Sequence, residues 1–236
     1  MSLKVAVIQF PGSNCDLDTL HVLNNVMNLD AELIWHNEFK GARFDAAVLP
    51  GGFSFGDYLR SGIIAAHSPA IDEAKEMLKE DKPILGICNG FQILTEAQML
   101  PGALLQNESL KFICKWINIK VENIQTAFTN QMGKGKVLDI PIAHGEGRYF
   151  TDNIKELRDN DQIIFRYTNH DGIIDQDSNP NGSLDSIAGV CNLERNCLGL
   201  MPHPERASEE ILSPNKTTHG RLFFHSMISF IKKGGI

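Results

Sequence analysis

The feature that most restricts the fold of this chain is an alternation of short apolar runs with helix-like segments. Residues 4–10 (KVAVIQF) form an apolar run ended by Pro11-Gly12, and residues 16–29 carry apolar side chains at helical spacing. Further strands are predicted at 31–36, 45–49 and 83–87, and further helices at 70–79 and 90–99. Because strands that alternate with helices join through crossovers, this order predicts a parallel sheet with helices on both faces.

The second half of the chain has a different pattern, in which strand-like segments follow one another through turns rich in Asn, Asp and Gly. They lie at 115–122, 137–143, 162–168, 186–192 and 197–201, and a helix is predicted at 220–232. This pattern indicates antiparallel additions to the first sheet. We therefore expect an α/β fold with an open, mixed, mostly parallel sheet. No linker, repeat or low-complexity tract interrupts the sequence, so we expect one domain over residues 1–236.

Composition and charge narrow the class of function. The formal net charge is −7, and no basic stretch is typical of a nucleic-acid binder. No signal peptide and no apolar run of roughly 20 residues is visible, so we expect neither secretion nor a membrane span. Five cysteines occur without a C-x-x-C pair, which argues against a zinc ribbon or a dithiol redox site. A reduced, cytoplasmic protein without a bound metal is expected.

The most specific local signal is Gly86-Ile87-Cys88-Asn89-Gly90, between a predicted strand and a predicted helix. This is the G-x-C-x-G form of a nucleophile elbow, whose tight turn needs small neighbours. Cys88 would lie at a helix N-terminus, where partial positive charge favours a thiolate and backbone N–H groups can stabilise an oxyanion. A buried structural cysteine beside a turn is the alternative. We expect the four other cysteines to be small buried hydrophobes. They are Cys15, Cys114, Cys191 and Cys197.

A cysteine nucleophile needs a base, and two histidines are candidates. His203 follows a predicted strand, and in an extended segment Glu205 would face the same way. His144 and Glu146 repeat this spacing in a loop that we expect to be glycine-rich and exposed. Spacing favours His203 without excluding His144. The loop at 50–57 (PGGFSFGD) follows the third predicted strand and offers free N–H groups for an oxyanion hole, or is a simple glycine-rich turn.

Longer motifs extend the pattern over nearly the whole chain. They are FPGSNCD at 10–16, LPGGFSFGDYLRSG at 49–62, LGICNGFQIL at 85–94, LKFICKW at 110–116, IPIAHGEGRY at 140–149, NPNGSLDSIAGV at 179–190 and GLMPHPERA at 199–207. Together these motifs resemble the class I, triad-type glutamine amidotransferases. Within that class they are most similar to the glutaminase subunits of phosphoribosylformylglycinamidine synthase.

The resemblance implies a role for each motif residue. Cys88, His203 and Glu205 would form the catalytic triad, which favours His203 over His144 as the base. The substrate-binding set would be Gly51, Gly52, Phe53 and Asn89 around the oxyanion, and Gln92, His144 and Gly145 in the glutamine pocket.

The resemblance also implies partners. Such subunits hydrolyse glutamine through a cysteine thioester and pass ammonia to a large synthetase subunit that uses ATP and Mg²⁺, with a small third subunit in the complex. This chain has no phosphate-binding loop, because Gly133-Lys-Gly-Lys136 is followed by Val137, and we expect it to need no cofactor. The alternatives are a glutaminase for another synthetase, such as GMP synthetase, a cysteine peptidase, or a regulatory subunit without activity.

Overall fold

The centre of the fold is a nine-stranded mixed sheet, seen in a computed structural model that describes residues 3–235. The strands are β1 (Lys4–Gln9), β2 (Asp30–Trp35), β3 (Ala46–Leu49), β4 (Ile84–Ile87), β5 (Ala103–Leu105), β6 (Ile113–Val121), β7 (Val137–His144), β8 (Arg148–Phe150), β9 (Ile163–Thr168), β10 (Ile187–Cys191) and β11 (Cys197–Leu200). The large sheet has the order β2-β1-β3-β4-β11-β10-β9-β6-β7, while β5 and β8 pair separately.

The two halves of the large sheet differ in strand direction, as the sequence predicted. From β2 to β11 neighbouring strands are parallel. From β11 to β7 each pairing is antiparallel. The prediction of a mixed sheet with antiparallel additions is therefore confirmed.

The parallel strands are covered on both faces. In β1 the consecutive side chains of Val5, Ala6, Val7 and Ile8 are fully buried. Since successive side chains of a strand point to opposite faces, burial of all four requires cover on each side of the sheet. Every residue of β3 and β4 is buried as well. Apolar runs without alternation therefore mark the central strands of this fold.

The helices are α1 (Asp16–His21), α2 (Ile63–Ala66), α3 (Pro69–Lys79), α4 (Asn89–Glu96), α5 (Ile154–Asp159) and α6 (Arg221–Lys233). The prediction of one regular helix over 16–29 is wrong, because α1 widens into a π-helical turn at Val22–Val26. There the Asn24 side chain bonds both the N–H and the C=O of Ala31, which ties this turn to β2. Within residues 3–235, no helix is long and apolar enough to cross a bilayer.

The topology gathers four chain segments at one edge of the sheet. Because β1, β3, β4 and β11 run parallel, the residues that follow them meet at the carboxyl edge, where open α/β sheets bind ligands. These segments contain Cys15 after β1, Gly51 and Gly52 after β3, Cys88 after β4 and His203 after β11.

Candidate active site

Cys88 lies at a strained elbow between β4 and α4. Its backbone has φ 50° and ψ −103°, outside the regions that a non-glycine residue normally occupies. The flanking glycines make the turn possible. A Cβ on Gly90 would lie 2.0 Å from the Leu49 carbonyl oxygen, and one on Gly86 would lie 2.8 Å from the backbone of Gly90. The G-x-C-x-G pattern is therefore required by packing of α4 against β3 and β4.

His203 and Glu205 form a buried pair beside this elbow. His203 Nδ1 lies 2.6 Å from Glu205 Oε1, and each residue is only 1% exposed. Because a carboxylate accepts, Nδ1 carries the proton and Nε2 remains available. Within residues 3–235, His203 Nε2 and Glu205 Oε2 have no hydrogen-bond partner.

The charges around His203 determine its protonation. Burial alone would lower the pKa of His203, but the Glu205 carboxylate and the sulfur atoms of Cys88 and Cys15 raise that pKa well above its usual value. The imidazolium form is thus stabilised next to the Cys88 thiol. This is the electrostatic arrangement that a general base needs when it takes a proton from a nucleophile.

The backbone around this pair is not the extended segment that the sequence predicted. His203 has φ −106° and ψ 90°, after which Pro204–Ala207 forms a 3-10 turn. Proline suits the first position of such a turn, because its φ is fixed near the helical value and it lacks an N–H group. His203 N–H donates to the Pro141 carbonyl at 2.9 Å, which fixes the start of the turn. The side chains meet through the turn rather than through strand alternation.

The glycine loop after β3 is held by the segment after β1. The N–H of Cys15 donates to the Gly51 carbonyl at 3.1 Å, and the N–H of Phe53 donates to the Gly12 carbonyl at 3.0 Å. The Phe53 N–H is thus already used, whereas those of Gly52 and Asn89 have no partner within residues 3–235. Gly52 and Asn89 are the two candidates for oxyanion donors.

The elbow, the glycine loop and the His203 segment all contribute residues to the lining of one cavity of about 200 Å³. Its lining residues are Asn14, Cys15, Gly52, Phe53, Cys88, Phe112, Cys114, Ala143, His203 and Arg206. Cys88 Sγ lies 3.7 Å from the Ala143 carbonyl oxygen on one wall. Phe53 and Phe112, which are both partly exposed, face each other with ring centroids 6.4 Å apart. A larger surface groove, along α3, contains none of the residues of this cavity.

His144 does not lie in an exposed loop, so that prediction is wrong: its side chain is 2% exposed at the end of β7. Its Nδ1 lies 3.0 Å from Asn107 Oδ1, and its Nε2 lies 3.5 Å from Asn181 Nδ2. Burial and the nearby charge of His203 lower the pKa of His144 to about 4. A neutral imidazole held between two amides is a poor rival to His203 as the base.

The other predicted pocket residues, Gln92, Gly145 and Gly51, are not among the residues that line this cavity. Gln92 donates to the Glu146 carbonyl at 2.6 Å and accepts from the Asn89 side chain at 2.9 Å, so it ties α4 to the segment after β7. The Gly145 carbonyl accepts from the Asn107 N–H. A Cβ on Gly51 would lie 2.8 Å from the His203 ring. Direct contact of these residues with glutamine stays a prediction.

Cys15 and Arg206 are among the cavity residues that sequence reasoning missed. Cys15 is buried, as expected, but its Sγ accepts a hydrogen bond from Arg206 Nη2 at 3.0 Å, and burial raises its pKa. Its position after β1, at the carboxyl edge, was the available signal. Cys114 is exposed, so its expected burial is wrong, while burial of Cys191 and Cys197 is confirmed.

Comparison with known proteins identifies the family. Residues 2–231 match the family of CobB/CobQ-like glutamine amidotransferase domains. The phosphoribosylformylglycinamidine synthase subunit PurQ of Methanosarcina mazei is 52% identical, over 97% of this chain and 98% of that protein. The chain belongs to the PurQ family of glutamine amidotransferases. The PurQ subunit of Aquifex aeolicus is 48% identical over 96% of this chain and all of its own length.

A solved structure shows that the PurQ fold is shared. A chain in the structure of PurLQS from Thermotoga maritima is 42% identical and superposes with a TM-score of 0.85, over 98% of this chain and 100% of that one. The family resemblance inferred from the motifs is confirmed.

Proposed function

We propose that this chain is the glutaminase subunit of phosphoribosylformylglycinamidine synthase, with Cys88, His203 and Glu205 as its catalytic triad. The observation that carries the proposal is the buried His203–Glu205 pair, whose free Nε2 shares one cavity with the Cys88 thiol. The PurQ relatives, which match this chain over almost their whole length, give the reaction its biological setting.

The first half-reaction forms a thioester. Cys88 Sγ attacks the side-chain amide carbon of glutamine, and His203 takes the thiol proton on Nε2. Gly52 and Asn89 donate their free N–H groups to the amide oxygen as it becomes an oxyanion, and each such donor contributes about 3–4 kcal/mol to the transition state. His203 then gives the proton to the leaving nitrogen. Ammonia departs, and a γ-glutamyl thioester remains on Cys88.

The second half-reaction restores the enzyme. Water donates a proton to His203 Nε2 and attacks the thioester carbon, and the same two N–H groups again hold the oxyanion. Collapse of the intermediate breaks the carbon–sulfur bond, and the proton on His203 returns to Cys88 as glutamate leaves. Throughout both steps the Glu205 carboxylate holds the ring through Nδ1 and offsets the positive charge of the imidazolium.

The ammonia would be used by another subunit. We propose a large synthetase subunit that consumes ATP and Mg²⁺ and converts formylglycinamide ribonucleotide to the amidine, together with a small third subunit. This chain itself would need no cofactor, and the reaction would take place in the cytoplasm. The Thermotoga PurLQS structure, which contains a close relative of this chain, supports a shared assembly.

Transfer of amide nitrogen tests the proposal. Glutamine labelled with ¹⁵N in its side-chain amide is mixed with this chain, the cognate large and small subunits, ATP and formylglycinamide ribonucleotide. We expect ¹⁵N in the amidine product, and none when Cys88→Ala replaces the natural chain.

The controls separate the other possible functions. If the synthetase uses free ammonia but receives no label from glutamine, the purine assignment is wrong, and xanthosine monophosphate with its own synthetase is the next acceptor. Cleavage of peptides without hydrolysis of free glutamine would indicate a peptidase. No hydrolysis of either substrate in the full complex would indicate a regulatory subunit.

A further inference from the structure

A buried asparagine outside the catalytic cavity holds two segments that lead to one wall of that cavity. Asn107 lies in the loop after β5, and its side chain is completely buried. It is not among the residues that line the cavity, and the proposed mechanism gives it no role. A buried amide is retained in a fold when its hydrogen bonds are made, so the partners of Asn107 indicate what it does.

All the hydrogen-bonding capacity of the Asn107 amide is used. Its Nδ2 donates to the carbonyls of Lys111 and His144, at 2.8 Å and 2.9 Å. Its Oδ1 accepts from the Gly147 N–H at 3.1 Å and lies 3.0 Å from His144 Nδ1. Its backbone N–H donates to the Gly145 carbonyl at 2.9 Å. Because carbonyls only accept and a backbone N–H only donates, these partners allow one orientation of the amide.

These bonds join two segments at the end of the β6–β7 pair. The two strands are antiparallel, and Ile113, the first residue of β6, lies opposite His144, the last residue of β7. Lys111 precedes β6, and residues 145–147 follow β7. The bonds of Asn107 therefore fix the chain on both sides of the hairpin just beyond the last residues that the strand ladder pairs.

This end of the hairpin forms one wall of the cavity and covers the nucleophile. The wall residues are Phe112, Cys114 and Ala143. The Ala143 carbonyl oxygen lies 3.7 Å from Cys88 Sγ, and Cys88 is only 5% exposed. Glutamine must fit between this wall and the elbow to place its amide carbon next to Cys88. A displacement of about 1 Å at such a position costs about 100-fold in rate.

We propose that Asn107 is a positioning residue that sets this wall for the binding of glutamine. The inference rests on the proposed glutaminase function. Asn107 acts through the segments that it bonds, and the wall supplies neither the base nor the two proposed oxyanion donors. The wall thus contacts glutamine in the same way before and during the reaction. Loss of such contacts raises KM and leaves kcat nearly unchanged.

Two substitutions remove the bonds of Asn107. Asn107→Asp keeps the shape of the side chain but has at most one donor, so at least one of the bonds to Lys111 and His144 is lost. Asn107→Ser removes the amide altogether. The matched controls are Asn196→Asp and Asn196→Ser. Asn196 is also completely buried and donates to the Leu78 carbonyl at 2.9 Å, but it precedes β11, whose opposite end leads to the cavity.

Steady-state hydrolysis of glutamine by the full complex tests the role. We expect KM to rise by about 10–100-fold in the Asn107 variants, with kcat within about threefold of the natural value. The Asn196 variants should keep the natural KM, although they lose a comparable buried hydrogen bond. An unchanged KM in the folded Asn107 variants, or an equal rise in the Asn196 variants, would overturn the proposal. So would failure of both Asn107 variants to fold when the Asn196 variants fold, because Asn107 would then only stabilise the protein.

Alkylation of Cys88 by iodoacetamide follows the wall without an activity assay. The rate is read from the Cys88 peptide by mass spectrometry, with the buried Cys191 as the reference thiol in the same chain. We expect Cys88 to react several times faster in the Asn107 variants, because a displaced wall uncovers the thiol, and at the natural rate in the Asn196 variants. Unchanged alkylation in both folded Asn107 variants would overturn the proposal. Faster alkylation, in a complex whose natural form does not hydrolyse glutamine, would contradict the proposed function while leaving Asn107 as the residue that sets the wall.

Discussion

At the scale of single residues, His203 is enclosed by the groups that the proposed chemistry needs. Its ring is buried, one nitrogen is fixed on Glu205, and two sulfur atoms lie on its other sides. The raised pKa of His203 depends above all on the negative charge of Glu205 acting against the cost of burial. The rate of glutamine hydrolysis should therefore depend strongly on the Glu205 carboxylate.

Replacing Glu205 by Gln tests this dependence. The amide keeps the shape of the side chain but removes its charge, so the pKa of His203 should fall and its imidazolium form should lose support. We expect kcat for glutamine hydrolysis to fall by about 10²–10⁴-fold, the range for loss of a base or its orienting carboxylate. Steady-state assays over a range of pH measure both effects.

The matched control is Glu209→Gln. Glu209 pairs with His21 at 2.9 Å on the surface and makes no contact with His203. We expect kcat to change less than twofold there, since exposed pairs contribute little. An unchanged kcat in Glu205→Gln would remove Glu205 from the proposed triad.

The low pKa of buried His144 leads to a separate prediction, about the stability of the protein in acid. Its pKa is about 4 in the folded protein and about 6.5 when unfolded, so between these values the unfolded chain binds the extra proton. The stability that neutral His144 contributes to the folded protein is fully present above pH 6.5. It is lost as the pH falls towards 4, by about 3 kcal/mol in total. His203 acts in the opposite direction, because its raised pKa lets the folded chain keep a proton that the unfolded chain loses near pH 6.5. The stability that this contributes is fully present below that pH and is lost as the pH rises.

We expect His144→Gln to flatten this pH dependence. Urea unfolding at several pH values between about 4 and 7 gives the free energy of unfolding of each protein. The difference between natural chain and variant should shrink as the pH falls, because glutamine does not titrate. A constant difference over the whole range would contradict the low pKa of buried His144.

At the scale of elements, the elbow between β4 and α4 is closely packed. The positive φ of Cys88 is tolerated because the backbones of Gly86, Gly90 and Leu49 are in close contact around it. The same contacts position Cys88 above the sheet edge. The stability of this region and the position of the thiol therefore have a common structural origin.

Gly90→Ala should be strongly destabilising. The added methyl group would lie 2.0 Å from the Leu49 carbonyl oxygen, and backbone cannot move aside as a side chain can. We expect the free energy of unfolding to fall by at least about 3 kcal/mol, the upper end for overpacked sites. Urea denaturation of Gly133→Ala is the control, because nothing lies within 4 Å of that position. Equal stability of the two variants would contradict the close packing of α4 on β3.

Elements marked by an apolar run or by a long helical period were predictable from the sequence, and elements with neither signal were not. The strands at 45–49 and 83–87 and the terminal helix were predicted within one or two residues of their observed ends, because they carry such signals. By contrast α2, with four residues, and the three-residue strands β5 and β8 contain too few residues to show a period.

The site was predictable only in part, for a related reason. A nucleophile after β4 and a histidine after β11 follow from the order of strands. The turn that brings Glu205 onto His203, and the amides of Asn107 and Asn181 that bury His144, depend on loop conformations that no periodicity encodes. The nearness of Cys15 to His203 has the same origin.

At the scale of the whole molecule, the residues proposed for catalysis lie at one edge of the sheet, while the antiparallel half provides a wall of the cavity. The Ala143 carbonyl, near the end of β7, faces Cys88 from that wall, although β7 is the outermost strand of the sheet. A cavity of about 200 Å³ has room for a glutamine side chain, and the sequence predicts no phosphate-binding loop. The proposed division of labour, with glutamine hydrolysis here and ATP chemistry in a partner, is consistent with that architecture.

The most direct test of this account compares the two nitrogen sources in the assembled complex. Formation of formylglycinamidine ribonucleotide is measured with glutamine and, separately, with ammonium chloride, using the natural chain or Cys88→Ala. We predict that Cys88→Ala abolishes synthesis from glutamine and leaves synthesis from ammonia intact. Glutamine-dependent synthesis that survives in Cys88→Ala would contradict the assignment of Cys88 as the nucleophile, and with it the proposed mechanism.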